Sequence, residues 1–158
     1  MIFESDRLVA RIYLILLLIS VTLYWLTAQE GVAWQDSGLH QLRILNGQFS
    51  NPLGLALSHP LYILFCQPLK LLAKADFPLW ITRLSGVGMA LAVANVYYLG
   101  FRLTGRHTPS VLGSLLLLIC HTAWWLGTIA ESYCWVAAGL SAELIILLKL
   151  RSQPGLKK

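Results

Sequence analysis

Four stretches of this chain are too long and too poor in charge to sit on the surface of a water-soluble fold. Residues 12–28, 84–101 and 108–130 contain no Asp, Glu, Lys or Arg, and residues 132–148 contain only Glu143. A helix needs about 20 consecutive, mostly apolar residues to cross the hydrocarbon core of a bilayer, and these runs approach that length. Composition agrees. Of 158 residues, 57% are hydrophobic and 12% charged, with a mean hydropathy of +0.67. A soluble domain carries about 25% charge. A water-soluble globule is excluded, as are a disordered chain, a collagen and a disulfide-stapled secreted domain. The expected fold class is an all-α membrane protein with four transmembrane helices and two interfacial helices in its first outer loop.

The runs divide the chain. Residues 1–11 form a cytoplasmic N-terminus and 12–28 the first span. Its end is Leu23-Tyr24-Trp25-Leu26-Thr27, bulky and aromatic, so it reads as an uncleaved anchor rather than a signal peptide, which ends in small residues. An outer loop follows over 29–79, with interfacial helices near 37–46 and 60–74. Spans two to four cover 80–103, 109–129 and 131–150, the last two a helical hairpin, and 151–158 is a cytoplasmic tail. The segment 53–69 is apolar but interrupted by Gly54, His59, Pro60 and Pro68. Pro60 marks a helix start, and Leu61, Leu64, Phe65, Leu69 and Leu72 recur near helical spacing, which suits a helix lying in the interface.

Charge sets the orientation. With the N-terminus inside, eight basic residues fall inside (Arg7, Arg11, Arg102, Arg106, Lys149, Arg151, Lys157, Lys158) and four outside (Arg43, Lys70, Lys74, Arg83), as the positive-inside rule demands. All six tryptophans fall on the outer side; Tyr13, Tyr97 and Tyr98 fall near the inner side. The net charge of +5 is therefore a topology signal and not a mark of nucleic-acid binding. The expected location is an integral, multi-pass membrane protein, in the plasma (inner) membrane if the chain is bacterial, with both termini cytoplasmic. Cys66, Cys120 and Cys134 sit in apolar runs with no CxxC spacing, which argues against a disulfide frame or a metal cluster.

Few residues are equipped for chemistry. Asp36 opens the outer loop after Trp34, and reads either as the N-cap of a helix over 37–46 or as a working carboxylate. Glu131 sits at the outer junction of the third and fourth spans, a position where an unpaired carboxylate is costly unless wet. Glu143 lies deeper, and reads as a protonated or paired carboxylate inside the bundle. His121 reads as a packed helix-contact residue. His40 and His59 read as interfacial polar residues.

Several short elements match a family in order. Trp34-Gln35-Asp36-Ser37-Gly38 resembles the W-x-D-S-G element of a family of polytopic protein O-mannosyltransferase-like proteins of the GT-C glycosyltransferase type, long catalogued as a domain of unknown function. Ser58-His59-Pro60-Leu61-Tyr62 resembles that family's H-P-P-G-Y-P-L-Y entry to its second interfacial helix, in shortened form. Arg83-Leu84-Ser85-Gly86 resembles the start of its second span. His121-Thr122-Ala123-Trp124-Trp125 and Ala130-Glu131-Ser132-Tyr133 are similar to its H-T-x-W-W and A-E-x-Y elements. The matches run across about 30–135, with Leu39 standing where the family usually has an acid.

The resemblance implies transfer of a sugar, mannose-like, from a polyprenyl-phosphate carrier to a protein or glycan acceptor on the outer face. It implies Asp36 and Glu131 as catalytic carboxylates, with Asp36 as general base or as help in holding a divalent cation (Mg or Mn). Trp34, His40, Arg43, His59, Arg83 and Tyr133 are the expected substrate-binding residues. Arg43 and Arg83 are the outer-side cations for the phosphate leaving group. Family members carry many more spans, so the resemblance covers an N-terminal portion. It implies either a second polypeptide supplying further spans or a truncated, non-catalytic homologue or accessory subunit that binds lipid carriers. Membrane lipid is a partner in every case. A channel or transporter element built on Glu143 and His121 is a third reading.

Overall fold

The computed structural model describes residues 2–50, 54, 58–72 and 76–151, and the side chains of these except 2–5 and Leu72. All regular structure among them is helical. In chain order the elements are α1 (Ile2–Leu26), α2 (Gln35–Asn46), α3 (Pro60–Cys66), α4 (Leu69–Leu72), α5 (Phe77–Thr104), α6 (His107–Ile119), α7 (His121–Gly127) and α8 (Tyr133–Arg151).

Three helices are long and apolar enough to cross a membrane: α1 from Asp6, α5 and α8. The expected fourth, over 109–129, is instead two helices, α6 and α7, bent by 62°. The break is at Cys120, whose backbone is extended (φ −59°, ψ 128°). One extended residue resets the hydrogen-bond ladder: the Cys120 amide donates to the Leu117 carbonyl (3.2 Å), and the Cys120 carbonyl accepts from the Trp124 amide (2.8 Å). The Leu118 carbonyl left over at the bend accepts from the buried Tyr24 hydroxyl at 3.3 Å. A side chain that satisfies a freed backbone group is a recognised cause of a kink. With 13 residues, α6 alone is about 20 Å long, short of a bilayer core; only α6 and α7 together, as one broken span, are long and apolar enough to cross. The predicted helix over 60–74 is also divided: α3 stops at Cys66 and α4 restarts beyond Pro68, which has no amide to continue the ladder. Lys74 lies outside the described residues, as do Lys157, Lys158 and the rest of the predicted tail beyond Arg151.

The middle of the fold is α5. It packs against α1, α6, α7 and α8 and is buried over much of its length, while α1 and α8 show most of their surface outward. Six of its buried positions are small: Ser85, Gly86, Gly88, Ala90, Ala92 and Ala94. Small side chains let helix backbones approach where no hydrophobic force drives them together. At Gly86 a Cβ would lie 3.0 Å from both the Tyr24 Cβ and the Gly127 carbonyl oxygen, so α1 and α7 close on α5 only because that side chain is absent. The main cluster gathers Tyr24, Met89, Val93, Leu118, Ala123 and Cys134. A second cluster, of Ile44, Tyr62, Ile63, Cys66, Phe77, Ile81 and Ala130, anchors α2 and α3 on the first half of α5.

Two expectations about polar residues within the apolar runs are overturned. Glu143 is exposed on α8 rather than held inside the bundle. His121 is exposed at the bend, its ring parallel to that of Trp125 (centroids 6.5 Å apart, 6° between planes), instead of packed between helices. In both cases apolar composition does not say which way a helix is turned.

Candidate functional site

The α2 helix is built to be pinned at its start. Trp34, not Asp36, stands at its N-cap, and no side chain caps it. Gln41 closes the entry instead: its Oε1 accepts from the Ala33 amide (2.9 Å), and its Nε2 donates to the carbonyls of Gly31 (3.4 Å) and Pro78 (3.3 Å). That leaves Asp36 exposed in the first turn, where a carboxylate is favoured by the helix dipole. Ser37, the next residue, is 4% exposed and points inward.

Ser37 donates to Glu131 Oε1 at 2.8 Å, across 94 residues of sequence. The Glu131 amide donates to Ser85 Oγ (3.1 Å), and the Ser85 and Tyr62 hydroxyls are 2.9 Å apart. Ser132, beside Glu131, has its hydroxyl 3.3 Å from His59 Nδ1. The His59 ring meets His40 edge-on at 5.2 Å and Tyr133 at 6.2 Å, and His40 meets Tyr62 at 5.4 Å. One polar cluster thus joins the start of α2, the start of α3, the first turns of α5 and the α7–α8 connection.

Backbone strain marks the same place. Among the described residues only Gln35 (φ 54°) and His59 (φ 43°) are non-glycine residues at positive φ, a region that costs a side chain roughly 1–3 kcal/mol and collects at functional sites. One adjoins Asp36 and the other is a member of the cluster.

Electrostatics separate the ionisable groups. Burial raises the Glu131 carboxyl above its usual range; the Ser37 hydrogen bond opposes this, and the nearby Asp36 charge adds to it. His40 is 4% exposed, and its Nδ1 has no hydrogen-bond partner among the described residues. Burial, then the neighbouring His59 and Arg43, push it down to about 4, against a smaller pull from Asp36. Tyr62, beneath them, is raised by burial well above the ordinary phenol range. The site is therefore a hydrogen-bonded floor in which burial disfavours the charged forms of Glu131, His40 and Tyr62, with one exposed carboxylate, Asp36, at its edge.

The sign of the His40 shift fixes a pH dependence. An unfolded His40 takes up a proton near 6.5, and the folded one only near 4, so the docking of α2 weakens as pH falls through that window. Glu131 works in the opposite direction, its burial favouring the protonated form. Hydrogen-exchange protection over residues 35–46, taken relative to the intrinsic rate at each pH, should fall between pH 6.5 and 4. His40→Gln should flatten that response, and a wild-type profile without the change would contradict the assignment.

Beside the cluster runs an open-sided groove of about 740 Å³, lined by His59, Pro60, Leu61, Tyr62, Leu64, Phe65, Ser132, Trp135 and Val136. Apart from His59, Ser132 and the Tyr62 hydroxyl, its walls are apolar, with Phe65 edge-on to Trp135 at 4.6 Å. A groove with apolar walls and a few convergent polar groups is the usual form of a small-molecule site.

The sequence-predicted residues divide into two groups. His40, His59, Glu131 and Tyr133 come together, with Asp36 at the edge. Arg43, Arg83 and Trp34 do not line the groove. Arg43, 2% exposed, donates from one terminal nitrogen to the carbonyls of Ser58 (2.6 Å) and Phe49 (3.1 Å), holding the loop after α2. Its Nε and other terminal nitrogen are buried with no hydrogen-bond partner among the described residues. Arg83 lies over the rings of Trp80 (5.0 Å) and Trp25 (5.8 Å). Trp34 is 88% exposed. The residues that sequence reasoning passed over are Ser37, Tyr62, Ser85 and Ser132. Each stands inside one of the short elements quoted above, so the signal was present but attached to the charged neighbour. Among the described residues no three His, Cys, Asp or Glu side chains converge as a metal site. Asp36 and a buried, hydrogen-bonded Glu131 are a poor donor set for a divalent cation, which takes several ionised oxygens.

Comparison with protein-family models, with curated proteins and with solved structures gives no match at all.

Proposed function

We propose that this chain is the N-terminal module of a GT-C type membrane glycosyltransferase, moving a mannose-like sugar from a polyprenyl-phosphate carrier to a protein or glycan acceptor on the outer face. The observation that carries the reading is the convergence of four short elements. Ser37 of the D-S-G element binds Glu131 of A-E-S-Y, Ser85 of R-L-S-G takes the Glu131 amide, and His59 of the H-P-L-Y element meets Ser132. Elements picked out separately along the sequence share one cluster, at the edge of a groove apolar enough for an isoprenoid chain.

In the proposed step the acceptor hydroxyl attacks the anomeric carbon of the carrier sugar. Its proton passes to the Asp36 carboxylate as the new glycosidic bond forms. The bond from the anomeric carbon to the phosphate oxygen breaks, and polyprenyl phosphate leaves. Glu131 holds Ser37, and through it the first turn of α2 that presents Asp36. The test is a transfer assay with a labelled polyprenyl-phosphate sugar, on the full chain alone and with the product of the adjacent reading frame. Transfer in either arm supports the reading, and transfer in neither overturns it. A second reading, a non-catalytic subunit that binds lipid carriers, is favoured by the apolar walls of the groove; it expects carrier binding without transfer in both arms.

The reading needs the cluster to face outward, with both termini inside. In a background free of Cys66, Cys120 and Cys134, a cysteine at exposed Ser50 should label with an impermeant reagent from outside only, and one at exposed Thr108 from inside only. The reverse pattern would overturn the orientation.

A further inference from the structure

A second groove, of about 720 Å³, lies at the other end of the bundle. Ser85 and Arg102 are 17 positions apart on α5, which places the two sites about 25 Å apart along that helix. Here α5 forms the floor, and α1 and α8 form the walls. The deep part of the floor is a closed polar network: the Tyr13 hydroxyl donates to Asn95 Oδ1 (2.9 Å), and Asn95 Nδ2 donates to Ser141 Oγ (3.0 Å) and to the Ala138 carbonyl (3.3 Å). Because these groups satisfy one another, that floor asks for no polar ligand.

The demands of the groove change along its length. Leu14 and Ile145 line it on opposite walls, and Arg102 and Lys149 stand where it reaches the end of α5 and α8, with Asp6 on the α1 side. The Lys149 ammonium lies 5.5 Å from the Tyr98 ring centroid, held over the groove. Among the described residues that line the mouth, two cations stand against one carboxylate. Arg7, Arg11, Arg106 and Arg151, all exposed at this end, raise the positive potential further. Basic residues that merely snorkel keep their heads in water on a convex surface; here two of them flank a concave, apolar-walled slot.

We infer that this groove binds an anionic glycerophospholipid, its phosphate between Arg102 and Lys149 and an acyl chain along Leu14 and Ile145. An amphiphile meets both halves of the groove, whereas free phosphate meets only the mouth. By the positive-inside rule this end faces the cytoplasm, the leaflet in which basic pockets between helices take up anionic lipid headgroups. The inference is independent of the chemistry proposed at the opposite end.

The test uses the full chain in phosphatidylcholine nanodiscs with graded phosphatidylglycerol, read by thermal stability and by lipid retained in native mass spectrometry. Wild type should retain phosphatidylglycerol in preference to phosphatidylcholine. Removing both cations with R102Q/K149Q should weaken that retention roughly thirtyfold, since each basic residue near the headgroups contributes about 1 kcal/mol. R106Q/R151Q makes the same change in charge at the same end, outside the groove, and should keep the preference, as should K149R. Leu14→Trp, which fills the apolar wall and leaves the cations, should also weaken retention. Absence of any preference in wild type, equal loss in the two double variants, or displacement of the lipid by inorganic phosphate would each overturn the proposal.

Discussion

Asp36→Asn should lower sugar transfer by about 10²–10⁴-fold, the range that a positioned general base contributes, with expression, membrane insertion and carrier binding unchanged. The asymmetry follows from the geometry. Asp36 is exposed and does not cap α2, so an isosteric amide removes only the carboxylate's modest interaction with the helix dipole. What the amide cannot do is accept the acceptor hydroxyl's proton. The loss should therefore fall on kcat and leave KM for the carrier unaltered. Glu131→Gln is the informative companion. Its amide oxygen can still accept from Ser37, so transfer should fall far less than in Asp36→Asn. An Asp36→Asn protein that inserts correctly and transfers at the wild-type rate would remove Asp36 from the mechanism; equal losses in the two variants would make Glu131 more than a support.

The second large effect is at Gly38, where a single methyl group should both destabilise the protein and abolish transfer. A Cβ at Gly38 falls directly on the Ala33 carbonyl oxygen. That carbonyl cannot retreat, because the Ala33 amide is bonded to Gln41, which also grips Gly31 and Pro78. Gly38→Ala must therefore push the first turn of α2 outward, breaking the Ser37–Glu131 bond and displacing Asp36. Overpacking of this kind costs about 1–3 kcal/mol, read as a lowered Tm in detergent. Gly139→Ala on α8 is the control, since a Cβ there meets nothing within 4 Å; it should leave activity unchanged and stability unchanged or slightly raised, Ala being the better helix former. If Gly38→Ala behaves like Gly139→Ala, the glycine of the D-S-G element has no steric role.

Some of this was legible in the residues and some was not, for identifiable reasons. The long helices α1, α5 and α8 follow from runs with little or no charge to satisfy in lipid, so the spacing of charges along the sequence locates them. The break at Cys120 does not follow. No proline or glycine marks it; the bend is held by Tyr24, nearly a hundred positions earlier, a contact that local pattern cannot express. The outward turn of Glu143 was equally hidden, because a helix apolar on nearly every side carries no periodic signal of which side packs. In the candidate site the carboxylates drew the eye through their charge, while Ser37, Ser85 and Ser132, which tie the cluster together, are ordinary residues until their partners are known. Arg43 and Arg83 show the converse. Their charge suggested a phosphate clamp, but packing gave one to the loop carbonyls and the other to two tryptophans.

The runs of residues with at most one charge determined by themselves that this chain is helical and that α1, α5 and α8 are apolar over membrane length, because a backbone in hydrocarbon must satisfy its own hydrogen bonds and only a helix does so within one segment. Only the tertiary structure decided that the fourth run is bent and that Ser37 and Glu131 meet. It also decided which of the scattered polar residues share a groove. Those outcomes depend on how closely α1, α7 and α8 approach α5 at its small residues, a matter of shape between distant segments.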